Sequence, residues 1–185
     1  TIDFDLDHAP AGVLEQIVTL QPGPVSLTAI RDRSINGDSF QLVQQFPDQF
    51  ADLALVDPPY NLDKHYDGLN FKHQSTDEYQ EYTQRWIDLV KPKLKPHASL
   101  YVFADWQTSI ALAPVLTANF TVKNRITWQR EKGRGAKGNW KNGMEDIWFL
   151  TMDDKKYTFN VDQVKQRRQV IAPYRENGQA KDWHE

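Results

Sequence analysis

Three observations predict an α/β layered domain with helices packed on a sheet: the aliphatic runs Leu53–Val56 and Ser99–Ala104, the long amphipathic helical pattern between them, and the later strand patterns Thr121–Trp128 and Glu145–Thr151. At 185 residues the chain fits one domain and can bury a substantial core. It has no cysteine, which excludes disulfides and cysteine-ligated zinc and suits a reducing compartment. No apolar run reaches the roughly eighteen residues of a membrane span, and Asp3, Asp5 and Asp7 are acidic where a signal peptide is basic. The sequence therefore predicts a soluble, cytoplasmic protein with no membrane partner.

In chain order, residues 1–24 form a peripheral lead-in, broken by Pro10, Gly12, Pro22, Gly23 and Pro24 around a short helix candidate from Val13 to Thr19. Val25–Ile30 alternates as a strand, and Arg31-Asp32-Arg33 reads as a turn. A short strand from Ser34 then ends in Gly37-Asp38, ahead of a brief helix through Leu42 and Val43. An aspartate at that point suits the cap of the following helix. Asp77–Leu94 is the clearest helix: Ser75 or Thr76 can cap it, and Asp77 and Glu78 suit its first turn. Tyr79, Tyr82, Trp86, Leu89, Val90 and Leu94 recur at helical spacing, the face of a helix lying on a sheet. Lys91, Lys93 and Lys95 complement its dipole, while Pro92 and Pro96 break it. A helix over about Thr108–Ala118 follows the Ser99–Ala104 strand, and Tyr157, Phe159 and Val161 alternate as one more strand.

The chemistry concentrates where the Leu53–Val56 run meets Asp57-Pro58-Pro59-Tyr60-Asn61. Neither proline donates a backbone hydrogen bond and both hold φ near about −65°, so the Asp57 carboxylate and the Pro58 carbonyl stand as fixed acceptors at a strand's carboxyl end. In open α/β sheets ligands bind at that end. Two acceptors beside the face of Tyr60 suit an exocyclic amine on a flat ring, since a nucleobase amine has two N–H bonds to give and a π-face to stack. A tight turn in which Asp57 caps a neighbouring backbone is the plainer alternative. Residues 61–75 read as a polar loop beside this site, a candidate lid. His65 and His73 within it lack ligand spacing and a third partner, so no metal is expected.

Charge is distributed unevenly, with 8 Lys and Arg against 16 Asp and Glu up to residue 122 and 14 against 9 thereafter. A polyanion would prefer the second part. Between Gln129 and Gly143, five basic residues (Arg130, Lys132, Arg134, Lys137 and Lys141) accompany Trp140 on a glycine-rich segment that reads as a flexible loop. Gly133, Gly135 and Gly138 spell the dinucleotide-binding pattern, but that fingerprint must open a helix and the sequel here is a strand. Cationic contact with DNA phosphates is the better reading; an exposed solvated loop is the alternative.

Asp57-Pro58-Pro59-Tyr60 after an aliphatic strand resembles motif IV of the DNA amino-methyltransferases, which move a methyl group from S-adenosylmethionine to adenine N6 or cytosine N4 of a base flipped from the duplex. Gly37-Asp38 resembles the family's motif III, and the lysine- and proline-rich helix end before an aliphatic strand resembles motifs V and VI. Asn139-Trp140-Lys141-Asn142 with the next strand resembles motif VIII. The likeness runs from Ile35 to Phe159, in the permuted β arrangement with the Asp-Pro-Pro-Tyr motif first. It implies a Rossmann-like methyltransferase sheet with flanking helices over residues 25–160, with 161–185 as a tail or the start of a target-recognition region.

For the site, the resemblance implies that Asp57 and Pro58 accept the target amine, that Pro59 and Tyr60 complete the turn and stack the base, and that Asp38 and Asp57 contact S-adenosylmethionine. Arg134, Lys137, Trp140 and Lys141 would then meet double-stranded DNA, in methylation of the restriction–modification kind. This form of the motif points to adenine N6 ahead of cytosine N4. The family's target-recognition region and its Asp-x-Phe-x-Gly-x-Gly-like cofactor loop do not occur in these residues. The chain is accordingly read as the catalytic N-terminal part, with a C-terminal half or second subunit as partner, and is expected to bind S-adenosylmethionine weakly by itself. A non-catalytic DNA- or partner-binding fragment is the rival reading, and an oxidoreductase using Gly133–Gly138 a third.

Overall fold

The computed structural model describes residues 17–66, 69–134, 138, 140, 142–168, 175–176, 179–180 and 183–184. Strands β1 (Ile17–Val18) and β2 (Ser34–Ile35) pair in parallel. Between them lies the single-turn helix α1 (Leu27–Ile30). Two expectations change here. Ile17 and Val18 are strand, not helix, while Val13–Gln16 lie outside the described residues; and the segment expected as a strand over Val25–Ile30 turns into α1 after Ser26. Segments this short carry too few side chains for periodicity to decide between the two states. The turn at Arg31-Asp32-Arg33 is present, with Asp32 at φ 55°.

Helix α2 (Ser39–Gln45) starts at the expected place, with Asp38 as its N-cap accepting from the Phe40 amide at 2.9 Å. Gly37 sits just before it at φ +150°, and a Cβ there would come within 3.0 Å of the Leu42 side chain. Glycine is thus required twice over, by conformation and by space.

Four strands form the main sheet, in the order β3 (Ala51–Val56), β6 (Leu94–Ala104), β8 (Asn142–Thr151), β7 (Thr121–Arg134). β3 runs parallel to β6, with Leu55 opposite Tyr101 and Val56 opposite Val102. β8 runs antiparallel to both its neighbours. The sheet is therefore mixed, and the β7–β8 hairpin is its long outer arm.

Helices α3 (Thr76–Val90) and α4 (Trp106–Asn119) supply the second layer. Ser75, one of the two caps the sequence offers, is the N-cap of α3, and it forms a reciprocal capping box with Glu78, which the sequence marks only as a first-turn acid. Its end differs: the α-helix stops at Val90, a 3-10 turn covers Lys91–Lys93, and β6 already begins at Leu94. Pro92 lacks the N–H that an α-helix would need, which tightens the chain into that turn. Ile87, Leu94, Leu100, Val102, Leu112, Leu116 and Leu150 form the fully enclosed centre, where the α3–α4 layer meets β6 and β8.

Two further expectations are corrected. Of the segment Gln129–Gly143, residues 129–134 and 142–143 are strand, because β7 extends to Arg134 and β8 begins at Asn142, while residues 135–137, 139 and 141 lie outside the described residues. Tyr157, Phe159 and Val161 do not form a strand; Val161–Gln163 is a 3-10 turn, while Tyr157 and Phe159 rest their rings on Phe149 at 6.0 and 5.7 Å. Alternating aromatics here reflect ring packing rather than a pleat. Short strands β9 (Arg167–Arg168) and β12 (Trp183–His184) pair, as do β10 (Arg175–Glu176) and β11 (Gln179–Ala180). Among the described residues no helix is long and apolar enough to cross a membrane.

Candidate active site

β3 delivers Asp57 to the carboxyl end of the parallel pair, where the chain leaves the sheet. The turn that follows is held from two helices. The Tyr79 hydroxyl on α3 donates to the Pro59 carbonyl at 2.9 Å, and the Thr108 hydroxyl on α4 accepts from the Asn61 amide at 3.0 Å. Asn61 is itself buried and clips the far side of the loop: its Nδ2 donates to the Gln74 carbonyl at 2.9 Å and its Oδ1 accepts from the Gln74 amide at 2.7 Å. Residues 61–75 are consequently not a free loop. They contain the hairpin β4 (Lys64–Tyr66) and β5 (Leu69–Phe71), closed at its base by the Asn61 clip and by Asp63, which accepts from the His73 amide at 2.9 Å.

Pro58 is buried and Asp57 exposed. Among the described residues the Asp57 carboxylate has no hydrogen-bond partner, so it does not cap a neighbouring backbone and stands open as an acceptor. Beside it, the Tyr60 ring carries the Lys64 ammonium 5.4 Å from its centroid, a cation–π contact. The Tyr60 hydroxyl donates to Glu145 Oε2 at a long 3.4 Å, and the other Glu145 oxygen is ion-paired with Arg130. Burial first, then the Asp57 and Glu145 carboxylates, pushes the Tyr60 phenol far above its ordinary pKa, which keeps it a proton donor.

Two cavities meet at this turn. One, of about 510 Å³, is mainly apolar and runs between α2, α3 and β3, with Ser39, Phe40, Val56 and Tyr82 in its wall. The other, of about 460 Å³, is the more polar of the two and opens over Tyr60, with Phe71, Trp128, Arg130 and Glu145 around it. They share Asp57, Pro58 and Pro59 and nothing else. Both volumes lie in the range of small-molecule sites, roughly 300–1,000 Å³.

Of the residues singled out from sequence, Asp57, Pro58, Pro59 and Tyr60 come together, and Asp38 stands one residue from the Ser39 wall of the apolar cavity. Trp140 is 96% exposed and does not line the polar cavity. Arg134 ends β7, on the hairpin's outer reach, opposite Asn142. Lys137 and Lys141 lie outside the described residues. Sequence reasoning did not place Trp128 or Glu145 in the site, and it named Arg130 only among the basic residues expected to meet DNA phosphates. Trp128 and Glu145 face each other across the hairpin register, a signal available only once β7 and β8 are aligned. Among the described residues no group of three acidic or histidine side chains could hold a metal ion.

A DNA methylase family model matches residues 51–182. The chain is 34% identical over 129 residues to a type II methyltransferase, M1.MboII, of Moraxella bovis, covering 68% of this chain and 48% of that protein. It is 30% identical over 131 residues to the DNA adenine methyltransferase YhdJ of Escherichia coli (strain K12), covering 70% and 44%. Among solved structures, the PvuII DNA methyltransferase, described as cytosine-N4-specific, superposes with a TM-score of 0.53 at 20% identity, over 75% of this chain and 52% of that one. The chain spans less than half the length of these two sequence relatives.

Proposed function

The chain belongs to the DNA methylase family, and on that premise we propose that it carries the base-handling part of a DNA amino-methyltransferase, moving a methyl group from S-adenosylmethionine to the exocyclic amine of a flipped base. The observation that carries this reading is the meeting of two cavities on Asp57-Pro58-Pro59. A transfer between two bound molecules needs such a junction, because donor and acceptor must approach along one line.

On the polar side, the Asp57 carboxylate and the Pro58 carbonyl accept the two amine N–H bonds. That draws the nitrogen lone pair out of conjugation with the ring and aims it across the turn. An aromatic amine is a weak nucleophile, so orientation and electrostatic localisation are the available help. Tyr60 stacks on the base and offsets part of the few kcal/mol spent in unstacking it. Trp128, half exposed at the cavity wall, offers a second ring.

On the apolar side, the residues fit a flat aromatic group: Phe40 and Val56 give it surface, and Ser39 and Asp57 give it polar ends. Bound there, S-adenosylmethionine would supply an electrophilic methyl on its sulfonium. Asp38, engaged as the α2 cap, fixes the Ser39 end of that wall, and its remaining acceptor capacity would serve the cofactor's adenine.

The relatives' greater length supports assigning the rest of the activity to a complementary half, in the same polypeptide or on a second subunit. Adenine N6 is the preferred target, on the motif and on the adenine methyltransferase among the relatives. Mass analysis of nucleosides from DNA exposed to the full protein and S-adenosylmethionine tests the reading. N6-methyladenine is expected; N4-methylcytosine would overturn the choice of base, and no methylated amine at all would overturn the function.

A further inference from the structure

Glu145 is a carboxylate near the start of β8 that is only 9% exposed, although it lies at a cavity wall and not in the apolar centre. Desolvating a carboxylate costs several kcal/mol unless it is paired and hydrogen-bonded. Here one oxygen takes the Arg130 guanidinium and the other takes the Tyr60 hydroxyl. Arg130 reaches it from the neighbouring strand β7, so the carboxylate is held by the hairpin and in turn holds a residue of the Asp57 turn.

We propose that Glu145 is a positioning residue: braced by Arg130, it fixes the plane of the Tyr60 ring through the ring's hydroxyl, so that its face is presented to the base. This rests on the methyl-transfer reading of the site. The physical need is plain. The ring turns about two side-chain bonds, Tyr60 is only partly buried, and stacking requires one face to stand beside the Asp57 and Pro58 acceptors. The backbone of the turn is fixed by Tyr79 and Thr108, but neither bond reaches the Tyr60 ring. The Lys64 ammonium stands over one face of the ring, and Glu145 adds a directional constraint at the ring's far end. The same bond ties the hairpin that carries the basic segment to the turn that carries the acceptors, so strand β8 sets where one stands relative to the other.

The test uses the full protein and a duplex built on the site that sequencing of its methylated DNA reveals, with 2-aminopurine in place of the methylated base. Fluorescence of the extruded 2-aminopurine reports base capture, and methyl transfer on unmodified DNA gives kcat and KM. At 3.4 Å the bond is long, so its loss is expected to lower capture at the weak end of the range for side-chain hydrogen bonds, by about threefold to tenfold for either Tyr60→Phe or Glu145→Ala. Because both changes remove the same bond, the double variant should be no worse than either single one. The loss should fall on kcat, with the KM for DNA unchanged, since phosphate contacts are untouched. Glu145→Gln retains an acceptor and should recover part of the capture, and it also serves if Glu145→Ala fails to fold. Additive losses, with Glu145→Ala weakening capture equally in the Tyr60→Phe background, would mean that Glu145 touches the base directly and would overturn the positioning role. A wild-type protein that never brightens 2-aminopurine would overturn base capture at Tyr60 and with it the positioning role, whereas DNA left without any methylated amine would overturn the methyltransferase reading itself.

Discussion

Along β3, neighbours one residue apart have opposite fates. Ala54 and Val56 pack against the enclosed cluster under α3 and α4, whereas Leu53 and Leu55 remain 54% and 66% exposed. The same division runs through β6, where Leu100, Val102 and Ala104 are fully buried while Tyr101 and Phe103 are only partly so. Strand alternation explains it: one face of the sheet is sealed by helices, and the other is covered among the described residues mainly by the Tyr101, Phe149, Tyr157 and Phe159 rings. Parallel strands ordinarily carry cover on both faces. Stability is therefore concentrated on the helix face. Asp57, one step past the strand, continues the exposed parity of Leu53 and Leu55, so the chemistry stands on the less constrained side.

The sharpest test of that division is Asp57→Ala. Removing a carboxylate that has no partner among the described residues should leave thermal unfolding unmoved, while methyl transfer by the full protein falls by about 10²-fold to 10³-fold or more. A melting point lowered by several degrees would show that Asp57 supports the fold, and would blur the contrast between the faces.

A pair of truncations compares the faces directly. Leu112→Ala, in the α4 surface against the sheet, leaves a cavity and should cost about 2–5 kcal/mol in urea unfolding. Leu55→Ala should stay within about 0.5 kcal/mol, since its side chain is mostly solvated in this chain. Comparable costs would mean that the exposed face is as well packed as the sealed one.

What was legible in the sequence follows the same division. The β3 run, the Asp57 turn and the start of α3 near Ser75 were readable because each is local: a hydrophobic run, two fixed φ angles, a capping residue ahead of acidic first-turn residues. Gly37-Asp38 was readable as the head of a helix for the same reason. Arg130 and Glu145 were not, because they meet across a hairpin whose glycine-rich crossing reads as loop, and only the register of β7 on β8 brings them together. Trp128 was hidden likewise, counted as one more alternating strand residue when its wall position depends on a neighbour 17 places along, Glu145, and on the Asp57 turn. The one-turn helix α1 and the two-residue strand β1 were beyond pattern reading, since each is shorter than the period that would reveal it, whereas the strand starting at Ser34 was readable from the sequence and is present as β2.

The hairpin's basic segment offers a smaller effect, on binding rather than chemistry. Deleting one cation that neutralises a duplex phosphate lowers the magnitude of the log-affinity against log-salt slope by about 0.9, because one fewer counterion is released on binding. Changing Arg134, Lys137 and Lys141 together to Ala should therefore flatten that slope by roughly two to three units and weaken binding to every sequence alike. Trp140→Ala should leave the slope intact, because stacking releases no counterions. An unchanged slope in the triple variant would move the DNA-facing surface away from the hairpin.

The smallest expected effect lies on the sealed side, at the cap of α3. Ser75 Oγ accepts from the Glu78 amide at 3.3 Å and donates to Glu78 Oε2 at 2.7 Å, while the Ser75 amide donates to that same oxygen at 2.9 Å. These bonds hold the Glu78 carboxyl below its usual pKa, the side-chain bond to Ser75 first. Ser75→Ala removes the hydroxyl but leaves the backbone bond to Glu78, so the cap is halved, at a cost of about 1 kcal/mol. For a chain of this size that is roughly 2–4 °C in thermal midpoint. The turn at Asp57 should not register the change, because Asn61 clips Gln74 independently and Tyr79 reaches Pro59 from the helix's first turn. Since a depressed carboxyl adds stability above its unfolded pKa and loses it as pH falls through the folded value, the wild-type advantage over Ser75→Ala should shrink as the pH drops below about 4.5. An advantage that stayed constant through that range would take Glu78 out of the cap.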